Sequence, residues 1–339
     1  MAENIIEQIV AGLRATIPSI YPQHGELRNV RVVGHTPKTD HYIYDIVIDF
    51  AAASERVAAK IYRGSKVGAA GARNMAKTET ANLGRVYEVF HRRNLSGVPR
   101  PVGDFTDLGA VVAEKFSGLP FQSIIMKAAL LPGYADQGLL KLAARKAGDW
   151  LRSFHKATAE GAEMFDAEGL LAELERLCSS CRGEGLEDAS VRMILNGARS
   201  ALARGKKALS SSAVLCDFTP LNVIVGEQGI GICDYARMQP RGASLGDVAI
   251  FLASVEALEK YPFCNRAITT CVQNEFVEAY SISPAEQAIL RVLKMKALLG
   301  MFAQGRVVKD SAARKRIMWA TVMKRFIHNA ANRSLAPAA

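Results

Sequence analysis

Apolar positions along this chain keep a period of two in its first third and a period near 3.6 after residues 117 to 120. Ahead of the first strand, Ile5, Ile9 and Leu13 lie four apart. That spacing predicts an amphipathic helix over residues 4 to 14, ending before Pro18 because the residue preceding a proline avoids helical backbone. Val30 to Val33, Tyr42 to Phe50 and Val57 to Tyr62 are runs of β-branched and aromatic residues, separated by Gly34 to His41 and by Ala51 to Arg56. They predict three strands of an antiparallel sheet. Asn74 to Arg93 aligns Leu83, Val86, Tyr87 and Phe90 on one helical face and should end near Gly97-Val98-Pro99.

Beyond residue 120 the pattern predicts helices over Leu139 to Thr158, Leu170 to Cys178, Val191 to Ala208, Ile268 to Tyr280, Pro284 to Phe302 and Ala312 to Asn332. The apolar stretch Val248 to Ala253 adds another. One interruption stands out: Val223-Ile224-Val225 and Ile230-Gly231-Ile232 flank Gly226-Glu227-Gln228-Gly229, the pattern of a tight hairpin. The class is therefore α+β, with a small antiparallel-sheet lobe over residues 1 to 117 and a larger, mainly helical lobe over 118 to 339.

Composition adjusts this picture in three ways. With 339 residues, 49% of them apolar, the chain can bury a large core. Its first residues lack a basic leader, and no apolar run approaches the roughly 18 residues of a membrane span, so a cytoplasmic protein with no transmembrane segment is expected. The six cysteines all fall in the second half, and only Cys178 and Cys181 have metal-like spacing without a second pair, the pattern of reduced, unliganded thiols. The net charge of +10 is concentrated from Arg291 onward, where Lys294, Lys296, Arg306, Lys309, Arg314, Lys315, Arg316, Lys324, Arg325 and Arg333 face Asp310 alone. Such a run is either a solvated helix face or an attraction for a phosphorylated or otherwise acidic partner. No specific nucleic-acid motif accompanies it.

The candidate chemistry lies around the hairpin. Asp217 and Asn222 are five residues apart on a loop whose Pro220 cannot continue a helix, and Asp234 follows the second hairpin strand. Singly, each reads as an ordinary loop or strand-end residue satisfied by nearby backbone. As an ordered set they supply what phosphoryl transfer needs: a carboxylate to orient a hydroxyl and take its proton, and two oxygen ligands for magnesium. The hairpin is expected to bring Asn222 and Asp234 close.

This segment resembles the catalytic loop and metal-binding hairpin of the aminoglycoside phosphotransferase-like kinases, a branch of the two-lobed protein-kinase-like fold. The resemblance implies ATP and Mg2+ as cofactors and a small-molecule hydroxyl as acceptor. It makes Asp217 the catalytic carboxylate and Asn222 and Asp234 the metal ligands. Lys60, in Val-Ala-Ala-Lys-Ile, matches the strand lysine that bridges nucleotide phosphates, with Glu79, or Glu88 in another helix register, as its partner. Val98 to Gly103 and Ala110 to Gly118 resemble the hinge, where backbone between Glu114 and Phe116 would read adenine. Asp247 is placed to cap or open the next helix and to brace the catalytic loop, and His155 is expected to be structural. Two features depart from the family: Leu215-Cys216-Asp217 replaces His-Gly-Asp, and the loop Gly34 to His41, where phosphates would be covered, holds one glycine, leaving Thr36, Lys38 or Thr39 as contacts.

Two further readings compete. A non-catalytic kinase-like protein would bind nucleotide or a partner, and a polyanion or membrane-surface binder would show steeply salt-dependent affinity. For the acceptor, the scarcity of acids after Arg291 argues for a neutral or anionic sugar-like molecule and against a polycationic aminoglycoside. Glu256, Glu259, Glu275 and Glu278 are the carboxylates that could overturn that argument.

Overall fold

The alternation read in the first third builds β1 (Leu27–Pro37), β2 (His41–Phe50) and β3 (Ser54–Tyr62), joined by β4 (Ala110–Glu114) in one antiparallel sheet of order β1-β2-β3-β4. This is a computed structural model, and it describes residues 2–131, 133, 136–182, 186–205, 208–261, 263–307 and 322–335. Two compact units make up the chain: Met1–Leu119 with Ile224–Met238, and Pro120–Val223 with Gln239–Ala339.

In the first unit, helix α1 (Ala2–Ile20) lays Ile9, Leu13 and Ile17 into one core with Ile46, Ile48, Val57, Ala59 and Ile61 of the sheet. The helix runs through Pro18 instead of stopping before it. Pro18 costs the last turns one backbone bond, and burial of Ile17 and Tyr21 on the same core holds them helical. Because strand side chains alternate, Lys60 and Tyr62 face away from that core. Helix α2 (Gly64–Arg92) begins ten residues earlier than its periodicity predicts. Gly64, Gly68 and Gly71 hide the start, and Gly68 breaks the helix with φ 76° and ψ 158°. The loop expected over Gly34 to His41 is largely strand: Gly34 to Pro37 pair with Asp45 to Tyr42, leaving a turn at Lys38 to Asp40, closed by the Lys38 N–H donating to the His41 carbonyl.

A short β5 (Leu119–Pro120) leads into the second unit. Helices α3 (Phe121–Leu130), α4 (Gln137–Ala157), α5 (Ala167–Arg182), α6 (Asp188–Ala203), α7 (Leu245–Glu256), α8 (Arg266–Tyr280), α9 (Pro284–Val307) and α10 (Lys324–Leu335) dominate it. It is less purely helical than the periodicity suggests. The helix expected to reach Ala208 ends at Ala203, and β6 (Gly161–Met164), β7 (Ala208–Val214) and β10 (Gln239–Ala243) form a second sheet of order β10-β7-β6. Strand β7 is Ala-Leu-Ser-Ser-Ser-Ala-Val, too poor in large apolar residues to show a period. Its buried Ser212 exchanges a hydrogen bond with Ser244. The hairpin β8 (Val223–Gly226) and β9 (Gly229–Ile232) forms where expected.

Helices α4 and α8 pack closely enough that a Cβ on Gly148 would lie 2.6 Å from the Phe276 carbonyl oxygen. An aromatic stack of Trp150, Phe218, Phe251 and Phe276 fills the adjoining core, with Phe251 and Phe276 4.0 Å apart. Several cations of the basic run meet carboxylates from elsewhere in this unit: Lys294 with Glu256, Lys296 with Glu173, Lys324 with Glu187 and Arg333 with both Glu256 and Glu259. Lys309, Asp310, Arg314, Lys315 and Arg316, and the helix expected from Ala312 up to residue 321, lie outside the described residues.

Candidate active site

Strand β3 and helix α2 bring their charges together on the face of the sheet opposite α1. The Lys60 ammonium lies 3.1 and 3.0 Å from the two Glu79 carboxylate oxygens and 3.0 Å from Asp234 Oδ1. Glu79 is 4% exposed, whereas Glu88, further along the helix, faces solvent. Glu79 also accepts from the Tyr62 hydroxyl and, at 3.3 Å, from the Tyr235 N–H. One turn on, Asn82 Nδ2 donates to the carbonyls of Tyr235 (3.0 Å) and Met238 (3.2 Å), tying α2 to the segment that carries Asp234. Tyr62 and Asn82 escape a motif-based reading. Their signal is positional: Tyr62 follows Lys60 by two on a strand, and Asn82 follows Glu79 by three on a helix.

Asp234 has φ 70°, a left-handed conformation that a non-glycine residue adopts only under constraint. Its Oδ1 accepts from Lys60 and from the Ala236 N–H at 3.2 Å. Burial pushes the Asp234 carboxyl up, but the Lys60 charge and these hydrogen bonds outweigh it and hold the group below the usual carboxylate range. Burial likewise works against the Lys60 ammonium, and Glu79 and Asp234 reverse it, leaving Lys60 above its ordinary value. The neighbouring Cys233 thiol is pushed up to about 12, chiefly by burial. His41, paired in register with Tyr62, lies below the usual histidine value because it is buried and near Lys60.

The residues expected at the hinge, Glu114 to Phe116, make their contacts within the first unit. Glu114 donates its N–H to the Arg100 carbonyl at 2.9 Å, and its carboxylate accepts from the Tyr21 hydroxyl at 2.8 Å. The Lys115 N–H reaches the Arg56 carbonyl at 2.9 Å. The Phe116 ring lies against Gly231, where any Cβ would meet it at 2.1 Å.

In the second unit the backbone around Asp217 is fixed from both sides. Asp247, in the first turn of α7 and 1% exposed, accepts the Leu215 N–H at 2.7 Å and the Cys216 N–H at 2.8 Å. Its Oδ2 also lies 3.2 Å from His155 Nε2, and His155 Nδ1 lies 2.8 Å from the Tyr280 hydroxyl. The loop that carries no histidine of its own is thus held by Asp247, with His155 and Tyr280 behind it. Cys216 sits at φ 59° and directs the chain into Asp217. On the other side, the Asp217 carbonyl accepts the Thr219 N–H at 2.8 Å and Asn222 Nδ2 at 2.9 Å. Phe218 anchors in the aromatic stack, and the Pro220 carbonyl accepts the Gln122 N–H at 2.9 Å. The five-residue spacing of Asp217 and Asn222 is therefore that of a closed loop.

No family model and no curated protein sequence matches the chain. Solved structures do. A glucosamine kinase is 15% identical with a TM-score of 0.53, covering 91% of this chain and 96% of that one. A spectinomycin phosphotransferase, APH(9)-Ia, in complex with ADP and spectinomycin, is 11% identical with a TM-score of 0.54 over 97% and 98%. A choline kinase from Cryptosporidium parvum Iowa II is 12% identical with a TM-score of 0.53 over 98% of each chain. The likeness is one of fold: a small antiparallel sheet followed by a mostly helical remainder, as in protein-kinase-like phosphotransferases.

Proposed function

Starting from a fold held in common with small-molecule kinases, we propose that this chain is an ATP- and magnesium-dependent phosphotransferase acting on a hydroxyl of a small molecule. The observation that carries the reading is the ion cluster of Lys60, Glu79 and Asp234, a lysine held by two carboxylates on one face of the sheet. In this reading Glu79 and Tyr62 orient Lys60 toward nucleotide phosphates, and the main chain between Glu114 and Phe116 reads adenine. Asp217 orients the acceptor hydroxyl and takes its proton.

Asn222 and Asp234 offer magnesium the hard oxygen donors it prefers, and Asp234 Oδ2 has no hydrogen-bond partner among the described residues. Bound there, the ion would neutralise charge on the phosphates. The residues themselves do the rest: Asn222 Nδ2 and Asp247 hold the Asp217 backbone so that its carboxylate needs no reordering at the moment of transfer.

The acceptor is neutral or anionic and sugar-like. Of the four carboxylates that argue for a polycation, Glu256 and Glu259 are engaged by Lys294, Arg266 and Arg333, and Glu275 and Glu278 by Arg145. ADP release measured across neutral sugars, sugar acids and a kanamycin-type aminoglycoside tests both parts. Asp217→Asn is expected to lower transfer by roughly 10²–10⁴-fold. Wild-type transfer by that variant would refute the catalytic role, and efficient phosphorylation of the aminoglycoside would refute the acceptor class. A second reading, nucleotide binding without transfer, is favoured by the short Lys38 to Asp40 turn. It predicts ATP affinity with no ADP formed on any acceptor.

A further inference from the structure

Cations from α10, from the connection between α7 and α8 and from the first residue of α8 converge on a single cleft of the second unit, with a volume of ≈ 240 Å³. Lys260 and Arg266 line one side. Arg325, Asn329 and Arg333, four residues apart on one face of α10, line the other, and the buried Phe326 forms the apolar part of the wall.

Among the described lining residues there is one carboxylate, Glu259, and it is already spent. Its side chain is 5% exposed, accepts from the Thr269 hydroxyl at 2.9 Å, and lies 3.1 Å from Arg333 and 3.6 Å from Arg266. Behind it, Glu256 is shared by Arg333 at 2.7 Å and Lys294 at 2.5 Å. Among the described residues the cleft therefore gathers four cationic side chains, and its one lining carboxylate is already paired. Burial holds the Lys260 ammonium below the usual lysine range.

We infer that this cleft binds a soluble phosphate monoester. A phosphate dianion presents several acceptor oxygens to guanidinium forks and an ammonium at once, and it offsets more of the mutual repulsion than a single carboxylate would. Asn329 can address a hydroxyl of the esterified group, and Phe326 its carbon skeleton. The cleft shares no residue with the Lys60 cluster, so the inference does not depend on the phosphotransferase reading.

The test is calorimetric titration of the full chain with glycerol 3-phosphate at constant ionic strength set with chloride. Saturable binding is expected, weakened about tenfold or more by Lys260→Gln and by Arg325→Gln, each of which removes one charge-assisted contact. Asn329→Asp, which adds a negative charge on the exposed rim, should weaken it as well and guards against a misfolded cation variant. Lys60→Gln should retain it, which separates the cleft from any phosphate site at Lys60. Unchanged affinity in all three cleft variants, or loss confined to Lys60→Gln, overturns the assignment. A parallel arm offers phosphatidylglycerol and phosphatidylcholine vesicles. Binding to the acidic vesicles that depends on Lys260 and Arg325, without binding of glycerol 3-phosphate, would also overturn it by placing the phosphate on a lipid.

Discussion

Replacing Asp247 with asparagine removes one oxygen from the point where the Asp217 loop is tied to α7. The carboxylate accepts the Cys216 N–H on Oδ1 and the Leu215 N–H on Oδ2, with His155 Nε2 3.2 Å from Oδ2. An asparagine can satisfy one of the two amides and must turn its own NH2 toward the other. A lost hydrogen bond to a charged acceptor is worth roughly 1.5–3 kcal/mol, and a stranded buried N–H costs about 1–3 kcal/mol. The two overlap, and removing a buried charge offsets part of the loss, so a net destabilisation of about 2–4 kcal/mol is expected. Cys216, held at φ 59° by these contacts, would then relax, and Asp217 would move with it. A displacement near 1 Å of a reacting group costs on the order of 10²-fold in rate. Urea unfolding reads the stability, ADP release reads the rate, and amide hydrogen exchange at Leu215 and Cys216 reads the brace itself without reference to any activity. If Asp247→Asn leaves the urea midpoint and the protection of those two amides at wild-type values, the bracing argument is wrong.

Other expectations follow from the same geometry. Asn82→Ala removes both bonds to the carbonyls of Tyr235 and Met238 and should destabilise the protein by about 1–3 kcal/mol; an unchanged urea midpoint would contradict it. Asp234, whose folded pKa is depressed, contributes stability above its unfolded value near 4 and loses it as pH falls through the folded value. Asp234→Asn should therefore flatten the acid limb of stability below about pH 4, and an unaltered slope there would count against the Lys60 pairing. Gly148→Ala places a Cβ 2.6 Å from the Phe276 carbonyl oxygen and 2.9 Å from Ala279 Cβ, and forcing α4 from α8 should cost about 1–3 kcal/mol, seen as a lowered Tm. A wild-type Tm would mean that the helices separate freely.

The strands of the first unit were legible because a half-buried antiparallel sheet writes its burial directly into alternate residues, as Tyr44, Ile46 and Ile48 do. Strand β7 was not, since its buried Ser211 and Ser212 carry no apolar signal, Ser212 being paired with the Ser244 hydroxyl. Helix α2 was legible from Leu83 to Phe90, where it packs, and invisible at its glycine-rich start. In the site, a motif could point to Lys60 and Asp234, but the choice of Glu79 over Glu88 as the residue beside Lys60 depends on helix register, which spacing alone leaves open. Tyr62 and Asn82 became visible only once strand and helix faces were fixed. The pairing of Arg333 with Glu256 and Glu259 joins residues more than seventy positions apart, so a linear charge count cannot show that this arginine of the basic run meets two carboxylates.

The first unit is assembled from two stretches of chain, Met1–Leu119 and Ile224–Met238, with roughly a hundred residues synthesised between them. During translation the sheet, α1 and α2 can form early, but Glu79 and Asn82 then lack Tyr235 and Met238, and Lys60 lacks Asp234. At about 5–20 residues per second, that interval lasts roughly 5–20 s. A nascent chain therefore carries a partly buried lysine–glutamate pair with its third charge missing, and chains interrupted before residue 238 end in that state. Order of synthesis, as much as sequence, makes this cluster the last part of the unit to close.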